Sequence, residues 1–374
     1  MKFLFIIQGE GRGHMTQAIA FSALLRQNGH QLCGVIVGKS KRRTIPDFFI
    51  REIGTKVWAV ESPNFVADKS QKRILIGKTI LHNIKNAPTF IKSLNQIHQL
   101  VKEKNPDIIL NFYDLLGGFY NLFYQPSASY WVIGHQYLIE HPKFTFAKSK
   151  AFAKQCFQLN TWLTAMGAEK KLALSFQKMT ESKDPKLKVV PPLLRSEVKR
   201  LKVTSGDFFL AYMVNSGYAE EIISFAEKHP EIKIKAYWDK KNAKETEYPL
   251  PNLSLHRVHD QRFLQDMASC KGLVCTAGFE SVCEAMYLGK PVMVIPVKGQ
   301  YEQACNALDT ENSRIGITSE TFDFLKLEGL IQSGFTSPKE IKKWNNSWSE
   351  ILQKVLPETK MTESAFQQTQ SFSL

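Results

Sequence analysis

The chain has 374 residues, and 49 Lys and Arg against 35 Asp and Glu give it a formal charge of +14. Its length predicts two domains and excludes a small disulfide-stapled scaffold, while 43% hydrophobic residues exclude a disordered chain. Residues 1–195 carry 28 basic and 12 acidic side chains, whereas residues 196–374 carry 21 and 23. This asymmetry indicates an anionic substrate, a membrane surface or a nucleic acid as the partner of the first half.

The six cysteines form no C-x-x-C pair, which predicts free thiols in a reducing cytoplasm. A zinc site is not expected, because the available His and Cys residues match no zinc-finger spacing: His256, His259, Cys270 and Cys275. The apolar run over 2–7 is too short for a signal peptide, and no run is long enough to span a membrane. We therefore expect a cytoplasmic protein.

Strands and helices alternate along the sequence, which predicts α/β domains with parallel sheets. In the first half, strands are expected over 2–7, 31–37, 108–112, 130–133 and 188–192, with helices over 15–28 and 79–104, the second bent or divided at Pro88. In the second half, strands are expected over 208–214, 232–238, 273–275 and 291–295, with helices over 219–228, 261–268, 279–287 and 302–309.

A polar and basic stretch over 195–206 predicts an interdomain linker. The resulting organisation has four parts: an N-terminal domain over 1–195, a C-terminal domain over 196–337, a helix over 338–356 and a polar, disordered tail over 357–374. Open α/β domains bind ligands at the carboxyl ends of their strands, so the chemistry is expected in the loops that follow the strands.

One such loop follows the strand over 273–275 and leads into a helix. A glycine at the turn, Gly278, lets an anion approach the backbone, and the first-turn N–H groups attract phosphate, with the Ser281 hydroxyl beside them. Glu284, one turn further, is suited to accept hydrogen bonds from both hydroxyls of a ribose, or it simply caps the helix. Glu302 and Gln303, at a later loop-to-helix junction, suit the hydroxyls of a sugar, or form an ordinary first helical turn.

The order of these residues resembles the donor-binding half of the two-domain GT-B glycosyltransferases, in particular the plant natural-product glucosyltransferases and the family 28 enzymes. The matching positions are Gln261, Gly278, Ser281 and Glu284 at the spacing of the plant signature, then Gly289 and Pro291, then Glu302, Gln303, Asn306 and Ala307. The resemblance implies an α/β fold of the GT-B class, with two doubly wound Rossmann-like domains facing across a cleft.

The resemblance also implies a role for each donor-side residue. Glu284 would bind the nucleotide ribose, Gly278 to Ser281 the diphosphate, Glu302 and Gln303 the donor sugar, and the backbone of Val258 the base. A further loop, Val214-Asn215-Ser216-Gly217, resembles the Gly/Ser loop that approaches the donor phosphates. Two positions depart from the signature, because Val258 replaces a Trp and Thr276 replaces a phosphate-binding His. The resemblance therefore determines the nucleotide base and the phosphate contacts less closely, and a UDP-linked sugar is the first expectation for the donor.

The glycine loop over 9–14 follows the first strand and ends in His14. It lacks the third glycine of a dinucleotide fingerprint, which argues against a nicotinamide cofactor. It resembles instead the glycosyltransferase loop whose histidine is the general base. The resemblance implies that Gly11 and Gly13 let acceptor and donor come close, and that His14 deprotonates the acceptor hydroxyl. The alternative is a structural or phosphate-contacting histidine.

Two further positions accompany this loop. Asp114 follows the strand over 108–112 and resembles the aspartate that orients the histidine in plant-type enzymes; alternatively it is a helix N-cap. His135 and Gln136 resemble the His-Glu pair of the lipid I N-acetylglucosaminyltransferase, with Gln in place of Glu, so we expect only an acceptor-side contact there.

No Asp-x-Asp pair occurs in the chain, so we expect no metal, and a helix N-terminus stabilises the leaving diphosphate. No cofactor is expected besides the nucleotide-sugar co-substrate. The lysine-rich segment over 69–104 is amphipathic and predicts contact with an anionic membrane, or else a solvated helix face. A second basic cluster lies over 39–43. Nucleic acid is not expected, because no aromatic platform or known module is present.

Together these features predict a metal-independent, inverting glycosyltransferase of the hexosyltransferase type. Its donor would be a UDP-sugar and its acceptor a hydroxyl of a lipid or an anionic glycan. Two alternatives stay open: a UDP-sugar 2-epimerase and a non-catalytic nucleotide-sugar-binding protein.

Overall fold

The structure is a computed structural model that describes residues 1–40, 44–63, 83, 85–148, 151–213, 216–240 and 243–357. Two seven-stranded sheets organise these residues, one in each half of the chain. Among the described residues, no helix is both long and apolar enough to cross a bilayer.

The first sheet is parallel throughout, in the order β3-β2-β1-β4-β5-β6-β7. Its strands are β1 (Lys2–Gln8), β2 (Gln31–Lys39), β3 (Val57–Glu61), β4 (Ile108–Phe112), β5 (Ser129–Gly134), β6 (Lys170–Leu174) and β7 (Leu187–Val190). β1 and β4 lie side by side near the centre and are almost wholly buried, as their continuous apolar sequences predict.

Helices connect these strands and cover both faces of the sheet. They are α1 (Arg12–Gln27), α2 (Asp47–Ile53), α3 (Ala87–Lys104), α4 (Leu115–Tyr124), a 3₁₀ helix (His135–Glu140) and α5 (Ala151–Thr164). α1 buries Ile19, Phe21 and Leu25 against the sheet, and the chain turns away at Gly29, whose φ of 75° suits the end of a helix.

The second sheet has the order β10-β11-β9-β8-β12-β13-β14 and is parallel except for the β10–β11 pair. Its strands are β8 (Phe208–Met213), β9 (Lys233–Trp238), β10 (Thr246–Leu250), β11 (Leu253–Arg257), β12 (Leu273–Thr276), β13 (Val292–Ile295) and β14 (Gly316–Thr318). The helices of this half are α6 (Ser196–Arg200), a 3₁₀ turn (Ser216–Tyr218), α7 (Ala219–Lys228), α8 (Asp260–Ser269), α9 (Glu280–Tyr287), α10 (Tyr301–Asn312) and α11 (Phe324–Gln332). The predicted α/β class, with two doubly wound sheets, is confirmed.

Several elements differ from the sequence expectation. The helix predicted from residue 79 is described from Ala87, with Pro88 in its first turn rather than at a bend, because a proline there lacks only an N–H that the helix does not use. Residues 64–82, with the start of the lysine-rich segment, and residues 41–43 lie outside the described residues. β3, β6, β10, β11 and β14 were not predicted, since short strands carry weak periodicity.

The predicted linker is not a simple polar connection. Arg195 is only 6% exposed, and the short α6 buries Val198 completely. The predicted C-terminal helix is two helices, α12 (Glu340–Asn346) and α13 (Trp348–Val355), separated at Ser347.

These last helices lie against the first half of the chain. The indole nitrogens of Trp344 and Trp348 donate to the carbonyl oxygens of Ser175 and Pro192, both at 3.0 Å. The Trp348 ring also meets Phe21 edge-on at 5.7 Å. The chain end therefore ties the two halves together and helps to hold their facing loops in contact.

Candidate functional site

The glycine loop after β1 lies close to the end of β2. Gly9 N–H donates to the Gly38 carbonyl at 2.7 Å, and a Cβ on Gly9 would stand 2.6 Å from Val37. Only glycine allows this approach. α1 then begins after Gly11, which is exposed and offers no side-chain cap to the first-turn N–H groups of α1.

His14 sits in the first turn of α1 and is half-buried. Its ring stacks on Tyr113 with centroids 5.9 Å apart, and its Nδ1 lies 3.2 Å from Gln17 Oε1. Burial lowers the pKa of His14 to about 4, and the Gln17 hydrogen bond opposes this effect. The imidazole is therefore neutral near pH 7 and has a lone pair available to accept a proton.

No hydrogen bond joins the side chains of Asp114 and His14 among the described residues, and Asp114 Oδ2 is buried without a partner there. Its Oδ1 accepts from Leu116 N–H at 2.8 Å and from the Ser62 hydroxyl at 3.0 Å. Asp114 is thus the N-cap of α4, the alternative interpretation, because an aspartate just before a helix accepts from a first-turn N–H. Burial raises its pKa to about 7.

Tyr113 is a site residue that sequence reasoning missed. It has a φ of 62°, unusual for a bulky side chain, and such strain of about 1–3 kcal/mol persists where surrounding contacts enforce it. Its hydroxyl is 2.8 Å from the Thr161 hydroxyl of α5. Tyr113 directly precedes Asp114 at the end of a strand, and this position could have indicated a site residue.

The donor-side loop runs from the end of β12 into α9. A Cβ on Gly278 would meet only the Thr276 carbonyl oxygen, at 3.9 Å, and α9 begins without a side-chain cap. Ser281 lies in the first turn, and the Thr276 hydroxyl is buried without a hydrogen-bond partner in the described structure. Free first-turn N–H groups, a glycine and an unsatisfied buried hydroxyl form a surface suited to an anion.

Glu284 lies on α9, only 2% exposed, and is paired with Arg195. One oxygen of its carboxylate accepts from Arg195 Nε at 2.9 Å and from Nη2 at 2.6 Å. Arg195 also lies 3.9 Å from Asp260. Sequence reasoning placed Arg195 in a solvated linker and missed this ion pair, because only the packing of α9 against the domain boundary brings the two side chains together.

Glu302 and Gln303 begin α10. Glu302 Oε1 accepts from Gln136 Nε2 at 2.9 Å, so a predicted donor-side residue directly contacts a predicted acceptor-side residue. Burial raises the pKa of Glu302 to about 7. Gln303 instead turns back, and its Oε1 accepts from Val297 N–H at 2.9 Å, which holds the loop before α10.

His135 belongs to the interface rather than to an open surface. Its ring stacks on Phe279 with centroids 4.1 Å apart, and its Nδ1 lies 2.8 Å from the Leu174 carbonyl oxygen. Its Nε2 faces Asp309 Oδ2 at 3.6 Å. Burial lowers the pKa of His135 and raises that of Asp309.

The remaining predicted positions are less completely described. Val258 is half-buried, and its N–H donates to the Trp238 carbonyl at 3.2 Å, which leaves only its carbonyl for a base. Asn215 lies outside the described residues, and Ser216 and Gly217 form a 3₁₀ turn after β8.

The two halves meet where the glycine loop faces α9. Gln17 Nε2 donates to Glu280 Oε1 at 2.5 Å, and a Cβ on Gly13 would stand 3.3 Å from Glu280 Cγ. Arg12 lies 3.7 Å from Asp260. Glu280 was also missed, although its position between Gly278 and Ser281 could have indicated it. The loops predicted to carry acceptor and donor chemistry are therefore adjacent.

Comparison with known proteins identifies the family. The family model "Glycosyl transferase family 1" matches residues 1–332. No curated protein matches the chain significantly.

Solved structures are similar in fold at low identity. The spinosyn rhamnosyltransferase SpnG, complexed with thymidine diphosphate, has a TM-score of 0.59 at 12% identity, covering 95% of this chain and 100% of that one. MurG of Acinetobacter baumannii has a TM-score of 0.55 at 14% identity, with the same coverage. UDP-GlcNAc 2-epimerase of Neisseria meningitidis, bound to UDP-GlcNAc, has a TM-score of 0.58 at 13% identity over 95% and 99% of the two chains. The chain has the GT-B fold and belongs to glycosyl transferase family 1.

Proposed function

We propose that the protein is an inverting glycosyltransferase that moves a hexosyl group from a UDP-sugar to an acceptor hydroxyl without a metal. The observation that carries this proposal is the contact between the glycine loop with His14 and the first turn of α9. His14, whose pKa is lowered, lies on one side of this contact, and the uncapped N-terminus of α9, which suits an anion, lies on the other.

In the proposed reaction, His14 accepts the proton of the acceptor hydroxyl as its oxygen attacks the anomeric carbon. The bond from that carbon to the diphosphate breaks, and the leaving group takes the electron pair. N–H groups in the uncapped first turn of α9, beside Ser281, stabilise the diphosphate. Glu302, neutral or ionised near its pKa of about 7, and the adjoining Gln136 offer polar groups to the donor sugar.

The ion pair with Arg195 holds Glu284 in a fixed orientation beside the proposed nucleotide site. Because a UDP ribose and a thymidine-linked sugar differ at the 2′-hydroxyl, a carboxylate at this place would discriminate between them. Titration calorimetry with UDP and dTDP tests this point. Glu284→Gln is expected to weaken UDP binding more than dTDP binding.

An exposed apolar surface supports the proposal of a membrane-borne acceptor. Five exposed apolar side chains on α4 and α5 form this surface: Leu122, Phe123, Phe152, Leu159 and Trp162. Phe123 is 67% exposed and Trp162 is 60% exposed. Lys171 and Lys186 line the groove beside Trp162. The opposite face of α5 carries Thr161, which bonds to Tyr113 under His14. A bilayer on this surface would present lipid acceptors one helix away from His14.

The decisive experiment incubates UDP-sugars with and without a lipid acceptor and identifies products by NMR. His14→Ala is expected to lower transfer about 100- to 10,000-fold while UDP still binds. Undiminished transfer by this variant would contradict the mechanism. Inversion at C2 of UDP-GlcNAc without acceptor would favour the epimerase instead, and tight UDP binding with neither reaction would favour the non-catalytic alternative.

A further inference from the structure

Three side chains form a hydrogen-bonded line that crosses from the first half of the chain to the second. Gln17 lies three residues after His14 on α1, so both project from the same face of that helix. Gln17 Oε1 is 3.2 Å from His14 Nδ1, and Gln17 Nε2 donates to Glu280 Oε1 at 2.5 Å. Glu280 is the first residue of α9.

The chemistry of the amide fixes the protonation of the ring. An amide oxygen only accepts hydrogen bonds, so Nδ1 of His14 must carry the proton and Nε2 must carry the lone pair. If the Gln17 amide were reversed, its NH2 group would donate to Nδ1 and the proton would move to Nε2. Nε2 has no hydrogen-bond partner among the described residues and is therefore the nitrogen left for the acceptor. With the proton on Nε2, that nitrogen would have no lone pair with which to accept a proton.

Glu280 decides between these two orientations. Its Oε1 accepts a hydrogen bond and so requires the NH2 group of Gln17 to face it. The amide oxygen must then face His14. We propose that Glu280, acting through Gln17, is the positioning residue that sets the His14 tautomer, in the place expected for Asp114. This proposal rests on the proposed role of His14 as the base.

The packing supports this assignment. Gly13 leaves space for the Glu280 side chain, since a Cβ there would stand 3.3 Å from Glu280 Cγ. The second oxygen, Glu280 Oε2, is buried and has no hydrogen-bond partner in the described structure. Burial raises the pKa of Glu280 to about 8, the hydrogen bond from Gln17 opposes this effect, and nearby Glu284 adds to it. An ionised carboxylate can only accept from Gln17. In the neutral acid, Oε1 is the acceptor when the proton is on Oε2, the oxygen without a partner.

The test uses the full chain labelled with ¹⁵N-histidine, in which the His14 resonances are identified by their loss in His14→Ala. Wild-type protein at pH 7 is expected to show a protonated Nδ1 and an unprotonated Nε2. Glu280→Ala and Gln17→Ala should each produce a mixture of tautomers. Glu280→Gln keeps a side-chain oxygen that can accept from Gln17, so it should give the wild-type spectrum. Asp309→Asn, a buried acid facing another histidine across the same interface, is the matched control and should leave His14 unchanged.

Kinetics provide the second readout. Glu280→Ala is expected to lower kcat about 10- to 100-fold with little change in the KM for the nucleotide sugar, and Glu280→Gln should recover most of that loss. A wild-type tautomer in Glu280→Ala would overturn the proposal, as would equal losses in Glu280→Ala and Glu280→Gln. The tautomer is measured without substrate, so the spectra test this inference separately from the activity. If no transferase activity is found, the proposed function is overturned, and the spectra still decide whether Glu280 sets the tautomer.

Discussion

Arg195 and Glu284 form a buried ion pair in which a single carboxylate oxygen accepts two guanidinium hydrogen bonds, at 2.9 and 2.6 Å. The arginine comes from the predicted domain boundary and the glutamate from α9, beside the proposed nucleotide site. The pair therefore joins the boundary to the donor-binding helix and holds the carboxylate in one orientation.

Loss of this pair should destabilise the protein strongly. Arg195→Ala leaves a buried carboxylate without its counter-ion, and we expect the free energy of unfolding to fall by about 3–5 kcal/mol. Urea denaturation measures the change. The control is Lys233→Ala, which removes the exposed pair between Lys233 and Asp207 and should change the free energy of unfolding far less, because solvent screens exposed charges. Equal effects of the two substitutions would show that Glu284 is solvated in solution.

Asp114 is expected to act on stability as a helix cap. Asp114→Ala removes the acceptor for Leu116 N–H, so the free energy of unfolding should fall by about 1 kcal/mol. Asp114→Asn keeps an oxygen acceptor and should lose less. Asp323 caps α11 in the same manner, and Asp323→Ala provides a matched comparison. A change in the His14 titration in Asp114→Asn, with stability unchanged, would instead favour the dyad predicted from sequence.

Stability should fall as pH rises from about 5 to 8. Burial raises the pKa of Asp114 and Glu302 to about 7 and that of Glu280 to about 8. In this range the folded state holds protons that the unfolded chain has released, so the stability is full below the unfolded pKa values and declines through the folded ones. Each group contributes at most about 1.4 kcal/mol per pH unit.

The lowered pKa of His14 has the opposite sign and acts between about pH 4 and 6.5, where the folded state holds fewer protons. Glu280→Gln should therefore flatten the decline across the whole range from about pH 5 to 8, while the opposing His14 contribution below pH 6.5 remains. Thermal or urea unfolding across pH 5–8.5 checks this. A decline as steep in Glu280→Gln as in wild type would mean that Glu280 is ionised in the folded protein.

The apolar surface on α4 and α5 should bind lipid. Phe123→Ser combined with Trp162→Ser is expected to lower binding to anionic liposomes at least about tenfold in a sedimentation assay, because both rings are lost from the interface. Tyr248→Ser, an exposed aromatic on β10 in the second half, is the control. Liposome binding that survives the double substitution would exclude this surface as the docking site.

The sequence alone determined much of the fold and the nature of the site. Apolar strands, glycine turns and helical spacing predicted β1, β4, β12 and α9 to within a few residues, because these signals are local. The GT-B resemblance likewise followed from closely spaced residues between Gln261 and Ala307. Local patterning also offered the two interpretations of Asp114, as a partner of His14 and as a cap.

Only the tertiary structure decided which side chains meet. Arg195 with Glu284, Gln17 with Glu280 and Gln136 with Glu302 are separated by 89, 263 and 166 residues. No periodicity relates such positions, since they come together only where the strand ends of two sheets face each other. The chain end packs on the first half and fixes that arrangement. Local capping engages Oδ1 of Asp114, and the hydrogen-bond partner of His14 is Gln17 on its own helix, which in turn contacts Glu280 of the opposite half.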